Sequence, residues 1–325
     1  AEKSMTTPAN EITVAEILNR RDTRGVKAFF IAAKKWPIVP IFILGLVVIC
    51  AVFADFIAPN ERDKQDLRAR TSAPFWKAEC GVAEDGRKET ATFDNCRENG
   101  NQYLLGADPL GRGLLTRIIH GARISLTLAA VSITVGTIVG TTLGLMAGYF
   151  GGIIDELIMR VTDIVTSIPY LLLALIIVIV LGQNFMVIVL VLALASWPGI
   201  VRLVRGQALQ LKELDYVALA KVAGSSTPRI LYAHILPGVS NTIVVATTLQ
   251  VGSIILAEAI LSFLGAGIPP PTPSWGSMVS DGRGYLASAW WVAFFPGMAI
   301  FLTVMSFNFI GDWLRDRWDP RLRQL

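Results

Sequence analysis

Few residues in this 325-residue chain are of a type that does chemistry, and their spacing argues against catalysis. His120 and His234 stand far apart, each without a second ligand or base nearby in the sequence. Cys50, Cys80 and Cys96 form no CxxC, and no HExxH occurs. No Gly is followed directly by Lys, so the chain has no GxxxxGK[ST] loop to cradle a nucleotide. What remains is a set of polar residues placed singly in or beside apolar runs. Glu258 is the sharpest, because an acid near the centre of a membrane helix costs about 2.5 to 3.5 kcal/mol, while each Leu, Ile, Val or Phe returns only about 0.3 to 0.6. It is expected to line a pathway, to pair with a helix of a partner, or to cap a short segment beginning at Ser262. Gln250, in the same run, is a second pathway candidate. Asp163 lies three residues after Arg160, the spacing of an ion pair within one helix, with a gate or partner contact as the alternative. Asp108 and Arg112, four apart, suit a loop-bracing ion pair or contact with a protein outside. The Pro269 to Trp275 run, with Pro271 and an interfacial Trp275, reads as a rigid outer turn that either docks a protein or re-enters the membrane.

The elements that hold these residues follow from composition. Hydrophobic residues make up 53% of the chain and charged residues 17%, with a net charge of +4; a soluble chain carries about 25% charged residues. Polybasic nucleic-acid binding is excluded, and a multi-span membrane protein is indicated. A bilayer core of about 30 Å needs roughly 20 apolar residues as helix. Uncharged runs from Trp36 to Ala54, Ile124 to Phe150, Ile164 to Val201, Ile235 to Ala257 and Gly284 to Gly311 meet that need. The third run is 38 residues long and is divided by Gly182-Gln183-Asn184, so it predicts a hairpin of two spans and six spans in all. About 35 residues precede the first span, longer than a basic leader, so it reads as a retained anchor.

Basic residues set the orientation. Residues 1–35 hold seven Lys and Arg, the segment 202–238 holds five, and the tail holds four. The positive-inside rule puts these three on the cytoplasmic side with both termini. Ten Lys and Arg between residues 58 and 121 are matched by ten acids in a loop long enough to escape the rule. The organisation is therefore a cytoplasmic basic segment 1–35, amphipathic over 13–30 or simply a topology signal; span one at 36–57; an outer loop at 58–121; a core of five spans at 122–312; and a cytoplasmic tail at 313–325. Cys80 and Cys96 lie in the outer loop, where a disulfide is permitted and would contribute roughly 3 kcal/mol. Gly136, Gly140, Gly144 and Gly148 recur every four residues, which predicts a close helix-packing seam, with pathway lining as the alternative.

Between the fourth and fifth spans the chain reads Asp215-Tyr216-Val217-Ala218-Leu219-Ala220-Lys221-Val222-Ala223-Gly224-Ser225-Ser226-Thr227-Pro228-Arg229 and continues through His234 to Ile235-Leu236-Pro237. Good helix formers over 217–223, a Gly stop, and Pro228 with Ser225, Ser226 or Thr227 as cap predict a helix-turn-helix. Ala218, Ala220 and Ala223 keep its first helix slim enough for a groove in another protein.

This stretch resembles the "EAA" coupling loop of ATP-binding-cassette importer permeases. Four further blocks resemble the dipeptide, oligopeptide and nickel importer family, C-type subunit: Leu105 to Gly113 continuing to Gly121-Ala122-Arg123-Ile124-Ser125-Leu126; Asp155 to Arg160 with Asp163 and Ile168-Pro169; Glu258 to Gly265 continuing to Pro270-Pro271-Thr272-Pro273-Ser274-Trp275-Gly276; and Asn308 to Arg323 with Asp319-Pro320-Arg321-Leu322. Departures are Ala218 at the motif's Glu, Leu219 at its first Ala, Gly113 at a usual acid, and a longer insertion around 75–100. The resemblance implies an all-α fold of the type I importer permease, six spans and a cytoplasmic coupling helix, in a bacterial or archaeal cytoplasmic membrane. It implies three kinds of partner: a homologous second permease, two cytoplasmic ATPases that hold ATP and Mg, and an extracytoplasmic solute-binding protein. This chain would hold no cofactor. Coupling to the ATPases would involve Asp215, Tyr216, Ala218, Ala220, Lys221, Gly224, Ser225, Arg229, His234 and Pro237. Peptides are the implied cargo, with nickel chelates, glutathione-like compounds and peptide antibiotics as alternatives. A self-contained channel or secondary transporter would need buried charges through several spans or an inverted repeat, and an intramembrane enzyme would need a nucleophile with its base. The sequence displays none of these.

Overall fold

The computed structural model describes residues 37–76 and 103–318. Among them every regular element is helical. Those of eight residues or more are, in chain order, α1 (Ile38–Val52), α2 (Leu114–Phe150), α3 (Gly152–Ser167), α4 (Tyr170–Leu181), α5 (Phe185–Leu211), α6 (Asp215–Val222), α7 (Thr227–Phe263), α8 (Trp275–Gly282) and α9 (Trp291–Trp318). The amphipathic segment 13–30, Cys80, Cys96 and the motif from Asp319 onward lie outside the described residues.

Four helices, α2, α5, α7 and α9, are each long and apolar enough to cross a membrane, and α3 with α4 forms a bent pair that can serve as a fifth crossing. α1 is apolar but only 15 residues long, about 22 Å at 1.5 Å per residue.

The glycine seam fixes the direction of two crossings. A Cβ added at Gly136, Gly140, Gly144 or Gly148 of α2 would meet, in that order, Ser196 Oγ at 1.7 Å, Ile200 Cβ at 2.7 Å, Val204 Cβ at 2.8 Å and Ala208 Cβ at 2.6 Å on α5. Both series rise together, so α2 and α5 run parallel with their backbones in close approach. Parallel neighbours require one intervening return of the chain, which α3 and α4 provide. Their axes differ by 85°. The uncharged run starts the third span at Ile164; the chain instead breaks at Ile168, whose backbone is extended (φ −91°, ψ 127°) before Pro169. Proline disfavours a helical conformation in the residue before it, which is the cause.

α3 is strapped to α5 by ions. Arg202 lies 2.8 Å from Asp163, and Arg205 donates to both carboxylate oxygens of Asp155. This corrects the expected Asp163–Arg160 pair: Arg160 turns back one turn to Glu156 at 3.3 Å. The i,i+4 order with the acid first is the favoured one within a helix, which leaves Asp163 to a neighbour.

α7 runs antiparallel to α5. Gln207 donates to Thr242 near one end, Gln250 to the Ser196 carbonyl midway, and Gln183 to the Gly265 carbonyl at the other end. α7 begins at Thr227, eight residues before the uncharged run, because Ile230–Ile235 adopts a π-turn geometry in which the Leu236 N–H donates to Leu231. Pro237 has no N–H and its ring crowds the preceding turn; a widened turn accommodates it. α9 lies antiparallel to α7, with Gly252 against Val304 and Gly311 against Leu249. The bundle thus has an α6 end and a far end, where α2 begins, α7 finishes and α8 packs.

Candidate functional site

At the α6 end, helix formers between an extended Leu214 and a left-handed Gly224 make a helix of 8 residues. Gly224 has φ +76°, and the Ser225 N–H closes the turn on the Ala220 carbonyl at 3.0 Å. Only glycine adopts this conformation without strain. Asp215 in the first turn and Lys221 in the last complement the helix dipole. Val217 and Ala220 face inward, and Val217 joins Leu145, Ile200, Ile230, Leu231 and Ile235 in one apolar cluster. The opposite face is open: Leu219 is 67% and Val222 86% exposed, flanked by exposed Ala218 and Ala223.

Two contacts fix the helix to the bundle. The Lys221 ammonium sits 5.2 Å from the Tyr149 ring centroid, a cation–π arrangement. The Tyr216 hydroxyl donates to the His234 backbone carbonyl at 3.4 Å. Thus the carbonyl of His234, not its imidazole, carries the contact across the loop. Arg229 and Pro237 are exposed and Ser225 is half-buried. Ser226 occupies the cap position before α7 without a side-chain cap bond, so none of the three expected hydroxyls caps this helix. Of the ten residues expected here, Ala220 packs inward and offers nothing to a partner.

Deeper in the bundle, Glu258 is buried, and its Oε1 accepts from the Ser262 hydroxyl at 2.8 Å. The other oxygen has no hydrogen-bond partner and lies 3.2 Å from where a Cβ on Gly276 would stand. Glu258 therefore sits at the crossing of α7 and α8. It caps no segment at Ser262, because α7 continues to Phe263. Gln250 is committed to the Ser196 carbonyl at 2.9 Å and clips α7 to α5. Asp163 is exposed and held by Arg202.

At the far end the entry to α2 is built around Asp108. One carboxylate oxygen accepts from the backbone N–H groups of Leu110 (2.8 Å) and Arg112 (2.9 Å); the other accepts from Arg112 Nε (2.6 Å) and from Arg117 Nη1. The expected loop-bracing pair is present, and Arg117 joins it. Residue order hid it: Arg117 precedes the uncharged run at Ile124 and reads as part of the outer loop, whereas α2 starts at Leu114 and takes it into the helix. Asp281 of α8 stands 3.8 Å from Arg117 and 4.0 Å from Arg112. Trp275 is not interfacial. It is 1% exposed, its indole N–H donates to the Ile118 carbonyl at 3.0 Å, and its backbone N–H donates to the Ser125 hydroxyl at 3.2 Å. Asp108, Arg112 and Trp275 therefore present no surface to a docked protein in this structure, whereas Pro271 is exposed. Arg123, a second residue that sequence spacing did not single out, closes the end of α1 by donating to the carbonyls of Ala51 (2.8 Å) and Val52 (3.0 Å) and to Asp55 (2.9 Å).

Residues 140–324 match the family described as binding-protein-dependent transport system inner membrane component. The di/tripeptide transport system permease protein DppC of Pseudomonas aeruginosa is 39% identical over 278 residues, 86% of each chain. The glutathione transport system permease protein GsiD of Salmonella typhimurium is 46% identical over 222 residues, 68% of this chain and 73% of that one. Among solved structures, an inward-facing methionine ABC transporter, MetNI, aligns with a TM-score of 0.49 at 20% identity, covering 61% of this chain and 94% of that one.

Proposed function

This chain belongs to the family of binding-protein-dependent transport system inner membrane components, and from that premise we propose that it is the permease subunit of an ATP-driven importer of short peptides, moved by separate ATPases through α6. It is not an enzyme; hydrolysis belongs to the partner subunits. Similarity to a di/tripeptide permease and to a glutathione permease, glutathione being itself a tripeptide, supports short peptides as the cargo class.

The observation that carries the coupling role is the two-sided character of α6. Val217 is fully buried while Leu219 and Val222 project outward on a slim helix. Full burial of a Leu or Val side chain is worth about 1.5 to 3 kcal/mol, so a groove on an ATPase that covered both would be a firm handle. Arg202, Arg205, Lys212, Lys221 and Arg229 gather at this end, and the positive-inside rule supports a cytoplasmic α6 with both chain termini on that side. The far end then faces an exported solute-binding protein, and a homologous second permease supplies the other half of the pathway. ATP binding favours one packing of the helices and the loaded receptor biases the same equilibrium.

The test is ATP-dependent dipeptide uptake by vesicles holding the complete assembly. Leu219→Asp should leave the melting temperature of this subunit unchanged and lower uptake at least tenfold. Uptake at the wild-type rate would overturn the role given to α6.

A further inference from the structure

The far end of the bundle holds a cavity of about 420 Å³ whose walls include Arg112, Arg117 and Asp281. Asp108, behind them, accepts four hydrogen bonds and is fully occupied. Each guanidinium carries five N–H donors and gives one to Asp108 from its side chain. Arg112 and Arg117 are only 6% and 4% exposed, yet none of their nitrogens is among the buried polar atoms without a partner. Both arginines line the cavity, and each gives its carboxylate neighbour Asp108 only part of its side-chain donor set. Among the described residues the one other acid facing them, Asp281, stays at 3.8 and 4.0 Å, beyond hydrogen-bonding distance, with its side chain 47% exposed. Burial pushes the Asp281 carboxyl up, and the two guanidiniums only partly oppose that.

Two planar cations thus share one saturated carboxylate and one loosely held one. Their forked N–H groups match the two oxygens of a carboxylate better than any single-point anion. Gln183, Ser277 and Tyr285 add polar groups to the walls, Ile268 and Pro270 add apolar ones, and the volume lies within the range of small-ligand sites.

We propose that this cavity binds the free C-terminal carboxylate of a short peptide, with Arg112 and Arg117 as the anion-binding pair and Asp281 as the internal acid that the ligand displaces. The peptide as the carrier of that carboxylate rests on the importer reading above; the carboxylate chemistry rests on the two arginines alone.

The test uses the full chain in lipid nanodiscs, with dialanine, its C-terminal amide and acetate as probes in a calorimetric titration. Dialanine should bind at least tenfold more tightly than its amide. Arg117→Lys, which keeps the charge and loses the fork, should weaken dialanine about tenfold and leave the amide unchanged. Asp281→Asn, on the half-exposed rim, should tighten dialanine several-fold by removing its competitor, a gain that a purely structural ion cluster would not produce. Equal affinity for acid and amide, no binding of either, or no gain in Asp281→Asn overturns the proposal. Peptide uptake by the complete assembly, measured in parallel, separates the two readings. Uptake with equal acid and amide binding sinks this site and spares the importer; acetate binding that obeys the same variants without any peptide uptake spares the site and sinks the peptide cargo.

Discussion

Gly140 of α2 and Ile200 of α5 are so close that a Cβ on the glycine would stand 2.7 Å from the isoleucine Cβ and 2.8 Å from the Trp197 carbonyl. Neither neighbour is the free end of a flexible side chain, so any substituent must force the two helices apart. Gly140→Ala is expected to cost about 1 to 3 kcal/mol by overpacking, and Gly140→Leu to prevent the pair from closing. Gly199, on the open side of α5 with nothing near its Cβ, supplies the control: Gly199→Ala should be neutral or stabilising by about 0.5 to 1 kcal/mol. Thermal melts of the purified chain would rank the three.

Gly224 terminates α6 at φ +76° with open space around it, so a substitution there acts through the backbone alone. Gly224→Val should cost about 1 to 2 kcal/mol and loosen the end of α6. Peptide uptake should fall several-fold while the rest of the bundle keeps its amide-exchange protection. Gly224→Asn, which tolerates the left-handed region better, should retain most of the uptake.

Two carboxylates of similar appearance should respond very differently to loss of charge. Asp108 is buried against two arginines. Asp108→Asn leaves those charges uncompensated and is expected to destabilise by about 3 to 5 kcal/mol. Asp163 is exposed beside Arg202, and Asp163→Asn should change stability by no more than about 1 kcal/mol. Equal losses in chemical denaturation would contradict this assignment of the two pairs.

Arg123 satisfies two terminal carbonyls of α1 and neutralises Asp55. Arg123→Met keeps most of the side-chain bulk and removes all three contacts. Hydrogen exchange should then rise over Ala54–Ile57, the single helical turn that follows α1, with the α2–α5 seam unaffected. Unchanged exchange there would show that α1 is held by packing alone.

Much of this architecture could be read from residue order. The spacing of Gly136, Gly140, Gly144 and Gly148 foretold the seam, Gly182-Gln183-Asn184 marked the turn before α5, and Gly224 marked the end of α6. Partners across helices could not be read. Spacing along one helix offers Asp163 only Arg160, whereas the rotation of α3 against α5 hands it to Arg202. Charges also misled the placement of helix ends: α2 starts at Leu114, ten residues ahead of its uncharged run, because Arg117 and Arg123 find acids in Asp108 and Asp55. The break at Ile168 was written in the proline that follows it, but a long apolar run hid it. At the far end the Asp108–Arg112 pair was visible from spacing, while Arg117 and Asp281 came into view only when α2 and α8 were brought together.

The parallel α2–α5 seam has a mechanical corollary. Only the first side-chain atoms of Ser196, Ile200, Val204 and Ala208 stand between the two main chains, so little there can compress and the two rods behave as a single stiff beam. α5 passes into α6 through only Lys212, Glu213 and Leu214, and its 27 residues span about 40 Å. A push on the short helix would accordingly arrive with little slack at Gln183, the latch that holds the opposite rim to the tip of α7.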